Sequence, residues 1–394
     1  MLPLKFVNII KAIILIFITG ASFIPAEPTS AFNATVIDKT SGQTYPHILK
    51  MQTFNLNTRS IKVLASQGTH LWIGTGLGVI NYDIKSSESY EVYDNQNYLL
   101  SNGIFAINFD SNNLPWIGTY GGGLSNFDGS LWNHYNTPKG LNDAFVYDIE
   151  FDKKSLWIAT WSGVNKVTGD PKSRKNWQSF TVENTEGGLI DNWVYAIEIE
   201  RSGKIWFGTE TGISSLHNGK WKALNHTNGL GASYKHVQQE NQGIMSLFQG
   251  QHHFSQASPS IPNLQTSDYR PNYVVSMLLD NKNRLWIGTW GGGLSLLDTK
   301  TLIFRNFTVK DGLPGNFILS LEEDGSGGLW IGTNDGLSRF DGKTFQNFSA
   351  LNGLKSKFIF SIEASPDHSL WIGGNRSLSR MILNPETGIP LNIN

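Results

Sequence analysis

The chain has 394 residues, and its 31 Lys+Arg against 32 Asp+Glu leave a formal charge of -1 at pH 7, which argues against a nucleic-acid binder held by phosphate neutralisation. Hydrophobic residues at 39% and charged ones at 16% provide for a buried core and exclude a solvated tail or a long charged helix. Cysteine is absent, which removes disulfide scaffolds, Cys-ligated zinc, iron–sulfur clusters and thiol catalysis together, whereas 41 Gly beside 13 Trp point to many short strands joined by tight turns.

Residues 1–31 carry Lys5 and Lys11, then an apolar run from Ala12 to Ala21, then a small-residue and proline stretch. That order predicts a secretory signal cleaved after Ala26 or Ala31, with an uncleaved N-terminal anchor as the alternative. An extension over 32–47 follows. No later stretch is comparably apolar, so the processed chain is expected to be exported, periplasmic or extracellular, with no stable membrane span.

From residue 48 one unit recurs seven times. Leu71-Trp72-Ile73-Gly74-Thr75 returns around Trp116, Trp157, Trp206, Trp286, Trp330 and, with Gly374 in place of Thr, Trp371. The tryptophans stand 44, 41, 49, 80, 44 and 41 residues apart. Each unit reads as four strands, because β-branched and aromatic residues alternate between Gly and Asp turns and no 3.6-residue period is sustained. In the sixth they are Asn316–Leu321, Leu329–Thr333, Gly336–Phe340 and Thr344–Phe348. One such sheet cannot bury both faces alone, but seven packed radially can, so the expected fold is an all-β, seven-bladed β-propeller of four-stranded antiparallel blades over residues 48–383.

Two irregularities refine that expectation. The 80-residue interval holds an insertion at 231–271, because Gly229-Leu230 before it and Asn272-Tyr273-Val274 after it are the two halves of one ordinary junction. The seventh unit lacks its outer strand, since Asn384-Pro385-Glu386-Thr387-Gly388 opens a 384–394 tail instead. Residues 48–54 fit the missing strand in phase, which predicts an N-terminal strand in the last blade that closes the ring.

Gly312-Leu313-Pro314-Gly315-Asn316, the apolar strand, the Asp–Gly turn, Leu-Trp-Ile-Gly-Thr and the Phe-Asp turn together resemble the two-component regulator propeller repeat. The resemblance implies an extracytoplasmic sensor region. In that family such propellers often come in pairs ahead of a membrane span, a histidine kinase and regulator domains, and many recognise carbohydrate breakdown products. With one propeller and no such segment after it, the expectation here is a recognition module without its own output domain.

In an up-and-down blade the second-to-third-strand loops share one end with the crossovers between blades. The loop positions after each Gly-Thr vary among the repeats while their frame does not, and they supply the candidate ligand-binding residues Tyr120, Trp161, Glu210, Trp290, Asp335 and Arg376. Flat apolar faces beside polar fixing points suit a small polar ligand or an oligosaccharide. An envelope protein partner, as for a scaffold serving a separate sensor kinase, and a propeller lyase or hydrolase are the alternatives. Trp193 reads as packing between blades, the Asn residues before the inner strands as turn residues, and the repeat tryptophans as core. Lys62 and Asp148 are placed near the axis.

The insertion holds Tyr234, His236, His252, His253 and Tyr269, and a loop of that length beside a crossover is a candidate lid. No His-Glu-x-x-His, Walker or Gly-x-Ser-x-Gly pattern occurs, and Gly74-Thr75-Gly76 runs into a strand rather than a helix, so no metal, cofactor or catalytic residue is assigned.

Overall fold

The structure, a computed structural model, describes residues 24–25, 35–37, 44–46, 51–86, 90–241 and 269–391. The rest of the 1–31 segment, His252 and His253 lie outside them. The backbone of Ile24–Pro25 pairs with Asn55 and Phe54, and Thr35–Ile37 pairs with Thr44–Pro46.

The sixth unit shows the blade. Ile318–Glu323, Leu329–Thr333, Gly336–Phe340 and Phe345–Phe348 pair in that order, all antiparallel. Four other units repeat it as separate four-stranded sheets, and the first and seventh units share one larger sheet. The innermost strands are residues 61–67, Ile104–Phe109, Val146–Phe151, Val194–Ile199, Arg270–Leu279, Ile318–Glu323 and Ile359–Ser365. Each touches the next and the last touches the first, so among the described residues seven blades close into a ring.

Closure runs through two long strands. Met51–Gln67 begins as the outer strand of the seventh blade, pairing Met51 to Met381 and Phe54 to Leu378, and continues as the inner strand of the first, pairing Leu64 to Ile73. Ser369–Ile382 doubles back at Asn375-Arg376, where Arg376 has φ +56, and Leu383 N donates to His368 O at 2.8 Å. The ring is thus closed within one sheet by both ends of the propeller.

The repeat residues have one role each. Every repeat Trp indole donates to the turn after its inner strand: Trp72 to Gln67, Trp116 to Asp110, Trp157 to Asp152, Trp206 to Glu200, Trp286 to Asp280, Trp330 to Asp324 and Trp371 to Ser365. All seven rings are at most 5% exposed. A buried indole N–H needs such an acceptor, which is why a polar residue recurs five or six positions before each Trp. The repeat Gly exists because the next blade leaves no room: a Cβ at Gly332 would stand 2.6 Å from Ile359 O, and one at Gly373 would stand 2.7 Å from the Ile61 side chain across the closure. Gly332→Ala should therefore cost about 1–3 kcal/mol by overpacking. Gly325, with nothing within 4 Å of its Cβ position, should accept Ala within about 0.5 kcal/mol. Urea melts of the two variants check this contrast.

The insertion leaves the junction intact. His226 N donates to Asn272 Oδ1 at 2.6 Å, as Val309 N donates to Asn316 Oδ1 at 3.0 Å where nothing is inserted. Asn192 accepts from Val182 N in the same way, and Asn102 from Asn95 N. These asparagines cap the crossover turns.

Candidate functional site

Backbone bonds fix the loop face. Gly78 N donates to Asn102 O, Gly123 N to Ala144 O, Gly163 N to Asn192 O, Gly293 N to Asn316 O and Gly336 N to Lys357 O, so in five blades the second-to-third-strand loop is tied to the crossover entering the next blade. Within the loops, Thr75, Thr119, Thr160, Thr209, Thr289 and Thr333 each donate from Oγ1 to a glycine carbonyl three or four residues on. This threonine frame therefore holds the variable residue after it at one height in the first six blades.

An aromatic belt runs along that face. Phe105, Tyr120, Phe145, Trp161 and Trp193 follow one another at ring separations of 5.6, 4.5, 4.7 and 5.1 Å. Trp161 is half-buried, and its indole N–H is buried without a partner among the described residues. Trp193 is 40% exposed, so it faces solvent over Trp161 rather than being lost between blades. Trp290 differs from its expected role. It is 2% exposed, with its ring 4.8 Å from Phe317 and 6.0 Å from Tyr273, so its face is committed to the core.

Glu210 lies beside the belt and pairs with Arg270 at 3.1 Å. Burial raises its carboxyl, Arg270 lowers it, and Asp191 raises it further. Asp335 pairs with Lys357 at 2.9 Å in open solvent, and Arg376 is exposed at the closure turn. The structure therefore brings Tyr120 and Trp161 together. Asp335 and Arg376 occupy the equivalent loops of the sixth and seventh blades.

Below the belt a second collar went unrecognised in the sequence. In six inner strands the register shifts after the first paired residue, a bulge that sets apart Lys62, Phe105, Tyr147, Tyr195, Leu319 and Phe360, and in Arg270–Leu279 it shifts on both sides of Val274, which sets Val275 apart. Phe105, Tyr147, Tyr195 and Tyr273 then pack in sequence at 5.3, 4.9 and 5.0 Å, and Lys62 Nζ sits 4.3 Å over the Phe360 ring. Burial pushes the Tyr147 and Tyr195 phenols up, keeping them neutral donors. The register also separates two residues that the sequence aligned, because Val63, not Lys62, lies opposite the repeat Gly as Ala106 and Asp148 lie opposite Gly118 and Ala159. A recurrent aromatic at the second inner-strand position was the available signal.

Deeper along the axis are Asp148, Glu150, Glu198, Glu322 and Glu363. Glu322 feels the charge of Glu198 although a blade separates them. Burial raises all five, and their mutual repulsion adds to it for Glu150, Glu198 and Glu322. Their role is legible in their bonds. Ile197 N donates to Asp148, Ala364 N to Glu322 and Ser66 N to Glu363, each from the next blade's inner strand. The inner edge of a propeller blade has no neighbouring strand, so these N–H groups need side-chain acceptors.

The ends of the insertion are fastened to the loop face. Ala232 N donates to Gly292 O, and Asn241, 3% exposed, donates to Gly291 O and accepts from Asn316. Tyr269 Oη donates to Ala232 O at 2.6 Å and packs against Tyr234 at 5.3 Å, while His236 lies in the short helix Tyr234–Val237.

The family described as two component regulator propeller matches residues 188–211, 268–291 and 312–335. Two of these stretches begin at a crossover Gly-Leu and all end just after Gly-Thr or Gly-Thr-Trp, within the frame of the loop face. Over 43 residues the chain is 49% identical to a protein described as Histidine kinase P4 from Formosa agariphila, a match spanning 11% of this chain and 3% of that protein. It is similar to the extracellular domain of a hybrid two component system, BT3049, from B. thetaiotaomicron, with a TM-score of 0.65 at 20% identity over 86% of this chain and 42% of that one. It is also similar to virginiamycin B lyase from Staphylococcus aureus, with a TM-score of 0.60 at 12% identity over 84% and 98% of the two chains. At these identities the likeness is one of fold. No helix among the described residues is long and apolar enough to cross a membrane.

Proposed function

The chain carries the repeats of the two-component regulator propeller family, and from that premise we propose that it is an exported recognition module binding a small polar ligand, an oligosaccharide in the first instance, on its loop face. The observation that carries this reading is the belt Tyr120, Phe145, Trp161 and Trp193 beside the Glu210–Arg270 pair, in which Tyr120 and Trp161 follow the frame threonines and Phe145 and Trp193 lie at the entries to inner strands. Rings that meet edge-to-face offer flat faces to sugar C–H surfaces, and the neighbouring carboxylate and guanidinium fix hydroxyls. Export is supported by the charge–apolar–small order of residues 1–31 and by the extracellular domain among the similar structures.

The test is a binding screen with glycans and peptides, followed by titration of Trp161→Ala and Trp193→Ala together. The double variant should weaken any ligand held on the loop face by about tenfold or more. Unchanged affinity would remove the belt from the site, and capture of an envelope protein with no small-molecule binding would favour the scaffold reading.

A further inference from the structure

Five crossovers follow one packing rule and the first breaks it. In the five, a glycine lies against the outer-strand side chain of the next blade: Gly140 on Trp177, Gly188 on Trp221, Gly229 on Phe304, Gly312 on Phe345 and Gly353 on Met51. In the crossover from the first blade to the second, Tyr98 takes the glycine's place before Leu99, as Gly312 stands before Leu313. The turn is held by Tyr98 N and Leu99 N donating to Asp94 O at 2.9 and 2.8 Å. At this seam the chain leaves an open groove of about 830 Å³ at the rim, against about 450 Å³ between the third and fourth blades, where Gly188 meets Trp221.

The groove walls are aromatic and its margin is polar. Tyr93, Tyr98 and Trp132 face one another at 5.4, 5.3 and 6.2 Å, and Tyr93 stacks on the repeat Trp72 at 5.6 Å. Tyr98 is 46% and Leu131 67% exposed. Glu91, Asn95 and Gln96 supply donors and acceptors at the margin, Asn97 spends its amide on Asp94 N and Val92 O, and no Lys or Arg among the described residues lines the groove. His134 donates to or accepts from Ser125 Oγ at 2.9 Å, and burial, helped by Lys139, lowers its pKa. The Trp132 indole N–H makes no hydrogen bond among the described residues.

We infer that this rim groove is a second binding site, separate from the loop-face belt, that takes a neutral saccharide. Rings that present faces, amide side chains that both donate and accept, and a volume in the range of small-molecule sites match a sugar's alternation of C–H faces and hydroxyls. Glu91 without a compensating cation disfavours uronates and other anions. An apolar peptide would leave the amide margin unpaired.

Titration of the full chain with cello-, xylo-, manno- and laminari-oligosaccharides and with oligogalacturonate, followed by tryptophan fluorescence and calorimetry, tests the inference. At least one neutral series should bind, and Tyr98→Gly, which restores the residue the other crossovers use and so preserves folding, should weaken it about tenfold or more, as should Trp132→Ala. The Trp161→Ala, Trp193→Ala double variant should leave that affinity unchanged, which separates this site from the loop-face one. The inference is overturned if no neutral series binds at millimolar concentration, if oligogalacturonate binds as tightly as the best neutral one, or if Tyr98→Gly melts normally and binds undiminished.

Discussion

Phe54→Ala should lower stability by about 3–5 kcal/mol, and removal of residues 45–55 should abolish the single cooperative melt. Phe54 is 1% exposed, 5.6 Å from the Trp371 ring and 5.8 Å from Tyr82, so its side chain joins the seventh blade to the first. The strand it belongs to supplies the only outer strand paired to Ser377–Met381 among the described residues. Without that strand, Leu378 and Met381, both fully buried, meet water, and a buried sheet edge becomes an open one. The ring then has two free faces instead of none. Calorimetry of the two variants checks this, and a deletion variant that melts at the parental temperature would show that the ring closes by other contacts.

Stability should fall as pH rises from about 5 to about 8. Asp148, Glu363 and Glu198 have carboxyls raised by burial to about 6, about 7 and about 8, with repulsion from Asp148 adding to the last. A carboxyl raised in the folded state contributes stability that is fully present below its unfolded value and is lost as pH rises through its folded value. The expected loss is on the order of a few kcal/mol across that window. Burial lowers Lys62 to about 8, which has the opposite sign: its destabilising contribution is present below that value and relieved above it, so the decline flattens near pH 8. On the acid side, burial would raise Asp152, Asp280 and Asp324, but bonds to indoles, backbone amides and, for the last two, Arg284 and Arg339 prevail and hold them below the usual range. Their contribution is lost as pH falls through those low values, which puts the maximum near pH 5. Glu198→Gln should raise the melting temperature at pH 8 and reduce the slope between pH 5 and 8. An unchanged slope would mean that axial water already solvates the carboxylate.

The loop face was legible from Tyr120 and Trp161 because each follows a Thr, Thr119 or Thr160, whose Oγ1 makes the same hydrogen bond in the first six blades. Trp290 follows the same signal and is nevertheless buried, since Tyr273 and Phe317 from inner-strand entries close over it. Trp193, read as packing, is exposed because its strand begins one residue later, at Val194. The axial carboxylates were hidden for another reason. A Glu at the fifth position of a strand looks like a solvated residue until the next blade's N–H is seen to need it.

By itself the sequence determined the repeat, the four strands of each blade, the closing N-terminal strand and the place of the insertion. These depend on local alternation, turn glycines and a period that recurs within one chain, all of which survive without knowing what lies beside each strand. Only the tertiary structure decided which aromatics keep an open face, which carboxyls have their pKa raised and where the wide groove at the first seam lies. Those properties belong to side chains that meet across blades at separations of forty residues or more, and a bulge of one residue is enough to turn a side chain from wall to axis.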